Sequence, residues 1–320
     1  MKARWGVLAL VGAVVVGFGS GAFGESASPE GFAGGPGVPR VKTTSDFPEL
    51  PLDRYEFSRR DDKRMEEAAA RRTQQCMRSY GFADFPLHPA RRTAQSLGGS
   101  TFSMTVSTVS PYGMLDLAHV RRWGYGFDPD RVTSWREEAF PEGRALKEGE
   151  HEVLYGPLRG DAVEVKGREV PKGGCSGRGQ REVMGDPVKT MRVRGYVGER
   201  TRELDKAVAK DARVLRAFRD WSRCVQGRGL GRYESPVQAF HDKAWREGVQ
   251  GGNTARTKRE LDTAVADVEC NRKLNTAGVW WAVSNEKQRA DLRRHASGYA
   301  AVRADQERVR AAADEVLGEE

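Results

Sequence analysis

Residues 76–82 read CMRSYGF and residues 224–230 read CVQGRGL, two copies of one local pattern. In each copy a cysteine ends a helix-like run, glycine stands five residues after the cysteine, and a large apolar residue follows the glycine. Glycine reaches the left-handed conformation at little cost, which commonly ends a helix and brings apolar residues on either side of the stop into contact. The pattern therefore predicts two helix ends, each held by an apolar pair. These pairs are Met77 with Phe82 and Val225 with Leu230.

Each copy is followed downstream by one further cysteine, Cys175 after Cys76 and Cys270 after Cys224. Four cysteines allow three pairings. Neither a CxxC pair nor a Cys/His arrangement gives these residues a redox or catalytic setting, so a structural role is favoured. The duplicated layout favours the disulfides Cys76–Cys175 and Cys224–Cys270, each closing one half of the chain. The chain-entropy model assigns each such loop a stabilisation on the order of 4 kcal/mol.

The N-terminus has the pattern of a secretory signal peptide. Lys2 and Arg4 precede an apolar run over residues 5–18, and small residues lead to Gly24. This predicts a signal peptide over residues 1–24 that is cleaved after Gly24. The apolar run is shorter than the ~20 residues of a membrane-spanning helix, although an uncleaved anchor remains the alternative. Export would place the cysteines in an oxidising compartment, where an even number is usually disulfide-bonded.

The composition is that of a basic protein with a highly charged surface. The chain has 320 residues, a formal net charge of +8, 38% hydrophobic and 31% charged residues. In an exported protein, this basic balance fits anionic envelope polymers better than nucleic acid. The alternative is a solvated surface that reflects an arginine-rich proteome.

The chain divides into four segments. After the signal peptide, residues 25–52 are rich in Gly, Pro, Ser and Glu and are predicted to form a flexible linker. Residues 53–186 are predicted as a helix plus a loop-rich region, and residues 187–320 as a helical domain, each closed by a disulfide. The predicted fold is mainly α: an irregular helical array with a loop-rich insertion and a long C-terminal helix, stapled by two disulfides.

Apolar periodicity, caps and breakers give the approximate helix positions. Helices are predicted at 57–80, 114–122, 129–138, 144–155, 199–228 (one helix or two), 235–248, 254–274 and 277–317, with a brief strand at 162–165 and Cys175 in a loop. The last helix carries a seam with alternating steps of four and three, the coiled-coil period. Polar residues on this seam favour antiparallel packing within the chain over a parallel dimer. The seam comprises Trp281, Asn285, Gln288, Leu292, His295, Tyr299, Val302, Gln306, Val309, Ala313 and Val316.

The sequence lacks the common catalytic and metal-binding motifs: it contains no GxSxG, HExxH, Walker loop or metal-spaced Cys/His set. We therefore predict no catalytic residues, metal or cofactor. The candidate binding surface is an aromatic cluster that could stack on sugar rings or on a partner protein. The alternative is that these aromatic residues form core under the loop closed by Cys76–Cys175. The cluster comprises Trp123, Tyr125, Phe127 and Trp135, with Tyr112 nearby.

Several motifs together resemble a group of exported, largely uncharacterised proteins of high-GC Gram-positive bacteria. They are the signal-like N-terminus, the CMxxxGF motif at residues 76–82, Gly173-Gly174-Cys175, and ADVEC at residues 266–270 before a Trp-bearing helix. The resemblance implies a disulfide-bearing envelope protein and implies no catalytic residues. Many members look like lipoproteins, whereas this chain has no cysteine close behind the apolar run to accept a lipid.

The sequence favours a non-catalytic exported protein, secreted or associated with the cell envelope. Its expected partner is an anionic wall polymer or another exported protein, with no nucleic acid and no membrane contact except through an uncleaved signal anchor. One alternative is a secreted hydrolase that uses carboxylates and histidines of residues 112–155. The other is a coiled-coil assembly subunit that pairs through the seam of residues 277–317.

Overall fold

A computed structural model describes residues 32–89, 109–128, 144–156, 163–247 and 253–318. Over these ranges the chain forms ten α-helices and two short antiparallel strand pairs, which confirms the mainly α prediction. The helices are α1 Arg59–Ser79, α2 Leu117–Trp123, α3 Glu150–Tyr155, α4 Gly174–Met184, α5 Pro187–Ala209, α6 Ala212–Gln226, α7 Pro236–Phe240, α8 Lys258–Leu274, α9 Thr276–Arg294 and α10 Ala296–Gly318. The strands are β1 Glu164–Val165 paired with β2 Arg168–Glu169, and β3 Arg246–Glu247 paired with β4 Asn253–Thr254. The helix predicted at 129–138 lies outside the described residues.

Both predicted disulfides are present. Cys76–Cys175 joins α1 to α4 with a Cα–Cα distance of 5.5 Å, and Cys224–Cys270 joins α6 to α8 at 5.9 Å. The loop predicted around Cys175 is wrong, because Cys175 lies in the first turn of α4. Gly173 and the following glycine both take positive φ angles, so the chain turns sharply and enters the helix immediately before the cysteine.

The first glycine stop is confirmed, whereas in the second copy the helix ends earlier than predicted, at Gln226 with Gly227 as its C-cap. In the first copy Gly81 has φ of +96°, and the Phe82 N–H donates to the Met77 carbonyl at 3.2 Å, the hydrogen bond of a Schellman stop. In the second copy Gly229 lies two residues beyond this cap with a positive φ, and its N–H donates to the Gln226 carbonyl at 3.0 Å. The apolar residues of each copy pack in the same core cluster as the neighbouring disulfide.

The flexible linker predicted over 25–52 is wrong from residue 32 onward. Val41 and Leu52 are buried. The Val41 N–H donates to Asn275 Oδ1 at 3.0 Å, and the Leu52 N–H donates to Gln288 Oε1 at 3.0 Å. We call residues 32–52 the N-terminal strap. Side chains more than 230 residues away in sequence hold it in place, and local composition gives no sign of such distant contacts.

Asn275 connects the strap to the break between α8 and α9. Its backbone is left-handed, with φ of +56°, and its side chain is almost fully buried. Its Oδ1 accepts from the Val41 N–H, and its Nδ2 donates to the Ala33 carbonyl at 2.9 Å and to the Pro39 carbonyl at 3.0 Å. Asparagine suits this position because it tolerates the left-handed region and carries both a donor and an acceptor.

The single helix predicted at 277–317 is wrong, because α9 and α10 meet at His295. There the backbone leaves the helical region, with φ of −118° and ψ of +33°. Tyr196 of α5 approaches Gly298 so closely that a Cβ on this glycine would overlap the phenol ring. The break therefore coincides with a close approach of a neighbouring helix, a tertiary contact that the seam pattern does not reveal.

The α10 part of the seam is buried within the chain. It packs against α1, α4 and α5. The ion pairs Asp61–Arg310 and Arg64–Asp314 show that α10 runs parallel to α1. On its other side α10 runs antiparallel to α5, and Tyr299 packs there against Tyr196. These contacts cross the predicted boundary at 186/187, and they occupy the surface on which the coiled-coil assembly hypothesis depends. The buried positions are Tyr299, Val302, Gln306, Val309, Ala313 and Val316.

The other predicted helices keep their approximate positions with shifted ends. The stretch 199–228 is two helices, because Asp211 caps α6 after a break at Lys210. The helix opened by Ser235 ends at Phe240, well before Gly248. The helix predicted to begin at residue 254 starts at Lys258 instead, because Asn253 and Thr254 form β4.

Candidate functional site

Tyr125, a predicted surface residue, lies in the core instead. Its side chain is 1% exposed and stacks on Trp245 with ring centroids 5.6 Å apart. The alternative, that the aromatic residues form core, is confirmed for Tyr125, but the core cluster that it joins contains Cys270 and packs against Cys224, whereas Cys76 and Cys175 belong to another cluster. Trp135 lies outside the described residues.

A buried carboxyl anchors Tyr125. Asp267 is fully buried, and its two oxygens accept from Trp221 Nε1 at 2.9 Å and from the Tyr125 hydroxyl at 3.3 Å. Burial raises the pKa of Asp267 well above its usual value, although both hydrogen bonds act in the opposite direction. The Tyr125 N–H also donates to buried Glu260 at 3.0 Å. This network holds the 109–128 segment on α8, so its role is structural.

The part of the aromatic cluster that reaches the surface is small. Phe127 is half-buried, and Trp123 is half-buried between two guanidinium groups, with Arg122 4.8 Å and Arg256 4.6 Å from its ring centroid. Over the described ranges, neither arginine has a carboxylate within ion-pair distance. We call Arg122, Trp123 and Arg256 the Trp123 patch.

The region of the predicted hydrolase site offers no acid–base pair in the part that the structure describes. Glu150 is buried and bound by Arg144, whose guanidinium lowers the pKa of that carboxyl. The His119 ring contacts the Gly126 carbonyl at 2.9 Å, and His151 packs on a tyrosine ring. Across the described ranges, three or more His, Cys, Asp or Glu side chains nowhere form a metal-binding group.

A solvent-open groove of about 350 Å³ lies along α1 and α4. Its floor is apolar, and its walls are the end of α3, the segment after α1 and the side chain of Arg194 on α5. The apolar lining comprises Met65, Ala69, Ala70, Leu87, Pro89, Leu154, Tyr155 and Met184. Polar side chains on the rim include Asp62, His88, Ser176 and Gln180. We call this the α1–α4 groove.

Close packing of α1 and α4 creates the floor of the groove. A Cβ on Gly179 would lie 2.5 Å from Thr73 Oγ1 and 2.6 Å from the Ala69 carbonyl, so a side chain here would force the helices apart. The helices run antiparallel. The first disulfide ties them at one end of the groove, and Met65 packs beside Val183 near the other.

Arg194 stands at the end of the groove where Met65 and Met184 lie. Its guanidinium stacks on Phe57 at 4.6 Å, and its Nη2 is 3.8 Å from the Met65 sulfur. Its Nε is buried without a hydrogen-bond partner. In the described part of the chain, no carboxylate lies within 4.0 Å of this guanidinium.

The sequence predictions missed the groove because its walls come from separate elements. No single stretch carries a motif for it, and only the small residues mark it: Ala68-Ala69-Ala70 on α1 and the glycines of α4. Small residues at these positions allow two helices to approach closely, which is the one available signal.

None of the described helices is long and apolar enough to span a membrane. The chain matches no model of a known protein family, no curated protein and no solved structure at a significant level. The class of protein therefore has to be read from the fold and the two disulfides alone. It is a mainly helical protein with two disulfides, which indicate an oxidising environment.

Proposed function

We propose that this chain is a non-catalytic exported protein of the cell envelope that docks a segment of another exported protein in the α1–α4 groove. The signal-like N-terminus and the two disulfides support export. The groove supports docking, because its size and apolar floor with a polar rim are typical of a binding site. Wall glycans offer few apolar groups for such a floor, so a polypeptide is the better occupant.

The observation that carries this proposal is where exposed apolar side chains lie. Tyr155 lines the groove and is 45% exposed. Val188 is 66% and Met191 74% exposed, and both lie on the chain between the groove residues Met184 and Arg194. Val188, Met191 and the groove residue Arg194 follow one another at three-residue steps on α5, so they lie along one side of this helix. Neighbouring exposed apolar groups indicate an interaction surface, whereas scattered single residues do not.

Filling the groove tests the proposal. Ala70 is half-buried on the groove floor, so we expect Ala70→Trp to weaken docking at least tenfold by steric exclusion. The probe is a synthetic hexapeptide positional-scanning library, each peptide made as free acid and as amide, with binding followed by fluorescence anisotropy. We expect peptides with large apolar residues to bind in the range of tens of micromolar.

The matched control is Ala301→Trp, an exposed alanine inside α10 that does not line the groove. It should bind the same peptides as the unmodified protein. If neither form of any peptide bound the unmodified protein, or if both tryptophan variants weakened binding equally, the docking proposal would be wrong.

The Trp123 patch supports a second candidate function, the binding of an anionic wall polymer. Two guanidinium groups, neither with a carboxylate partner among the described residues, flank a half-buried aromatic ring, which suits phosphate or uronate groups on a sugar chain. We expect purified cell walls to pellet the protein at low salt and to release it at high salt. Arg122→Gln with Arg256→Gln should reduce pelleting severalfold, whereas Ala70→Trp should leave it unchanged. Salt-independent pelleting, or none, would exclude this function.

A further inference from the structure

Arg194 differs from the other arginines around it. Arg310 stacks on the same Phe57 ring, with its guanidinium 5.4 Å from the ring centroid, but it also binds Asp61 at 3.0 Å. Arg200, two turns along α5 from Arg194, binds Asp291 at 3.1 Å. Among the described residues, the guanidinium of Arg194 contacts the Phe57 ring and the Met65 sulfur, and no carboxylate lies within ion-pair distance of it, although Asp62 and Glu66 line the same groove.

A half-buried guanidinium without an anion is costly. Its five N–H groups all donate, and burial without partners removes their hydration. Arg194 contributes one weak contact to sulfur, and its Nε has no acceptor. Stacking on Phe57 holds the group in place before any ligand arrives, so little side-chain entropy would be lost on binding. This is an arrangement suited to a bidentate carboxylate.

The position of Arg194 also fixes where the carboxylate would sit. Groove residues run along α1 from Asp62 to Thr73, and Arg194 lies at the Asp62 end, beside Met65. Phe57 stacks against the guanidinium at this end. A segment lying in the groove would therefore reach its end at Arg194.

We infer that Arg194 binds the C-terminal carboxylate of a peptide segment whose apolar side chains lie over Ala69 and Ala70. This inference rests on the proposed docking function and names its ligand class. Ser176 and Gln180 on the rim can exchange hydrogen bonds with peptide N–H and carbonyl groups. Such partners serve a peptide backbone and are of no use to the acyl chain of a fatty acid. An apolar C-terminal residue therefore fits the site best.

The test compares the free-acid and amide forms of the best peptides from the library. We expect amidation to weaken binding to the unmodified protein at least tenfold, because it removes the charge that pairs with Arg194. Arg194→Gln should bind both forms equally and weakly. Arg194→Lys should restore part of the preference for the acid, since it keeps the charge but not the planar fork.

The control is Arg192→Gln, which removes an exposed arginine of α5 that does not line the groove and should keep the full acid preference. Equal binding of acid and amide by the unmodified protein would overturn the inference and leave the docking function intact. A dependence of affinity on an internal Asp or Glu, and not on the terminus, would overturn it as well. Thermal unfolding of each variant shows whether it is folded, and the acid–amide comparison on the unmodified protein needs no variant.

Discussion

Replacing Cys76 and Cys175 by alanine is expected to lower the free energy of unfolding by roughly 4 to 5 kcal/mol and to abolish peptide docking. The sequence separation of 99 residues is more than twice the 46 residues between the cysteines of the second disulfide. The chain-entropy model assigns about 4.7 kcal/mol to a loop of that size. The bond also fixes α1 against α4 at one end of the groove. Denaturant unfolding and the anisotropy assay measure the two effects.

The matched variant replaces Cys224 and Cys270 by alanine. Its loop is shorter, with a separation of 46 residues, for which the same model gives about 4 kcal/mol. This bond joins α6 to α8, neither of which lines the groove. We therefore expect a similar loss of stability but unchanged peptide affinity in the folded fraction. Equal loss of affinity in both variants would show that the first disulfide has no local role at the groove.

The disulfide pairing could be predicted because it was encoded locally and twice. The repeated cysteine-to-glycine spacing marks two helix ends, and each half then offers one partner cysteine. The entry of α4 could not be predicted in the same way. Gly173 and Gly174 looked like loop residues, and only the packing of Gly174 against the end of α3 shows that they turn the chain into a helix.

The order of the N-terminal strap depends on distant side chains. Glycine- and proline-rich composition predicted flexibility, since such a segment buries little apolar area of its own. In the fold, Asn275 supplies three hydrogen bonds to the strap, and Gln288 supplies another. The sequence contains no local sign that an asparagine at a helix break will bind a segment so far away.

The candidate sites were harder to predict than the fold. Alternating aromatic residues and glycines at 123–127 look the same in a surface loop and in a segment packed on a helix. The outcome was set by Asp267, which draws Tyr125 into the core and leaves Trp123 at the surface. The α1–α4 groove has no sequence motif, because its residues share a surface only after α1, α4 and α5 have packed.

Replacing Asp267 by alanine is expected to cost about 3 to 5 kcal/mol, the second large effect that the structure predicts. The substitution leaves the Trp221 indole N–H and the Tyr125 hydroxyl without their acceptor in a fully buried core. Asp267→Asn preserves the shape and the acceptor for Trp221, and its amide can donate to the tyrosine oxygen. We therefore expect the asparagine variant to lose much less stability than the alanine variant at neutral pH.

The asparagine variant should also change how stability depends on pH. Burial raises the pKa of Asp267 in the folded state, so the folded protein retains this proton at pH values where the unfolded chain has released it. This carboxyl therefore favours folding most below its unfolded pKa of about 3.9, and that contribution falls as pH rises toward the folded pKa. Asp267→Asn removes this titration. Its stability relative to the unmodified protein should rise steadily from pH 4 upward in urea unfolding, and a pH-independent difference would show that Asp267 is ionised in the folded core.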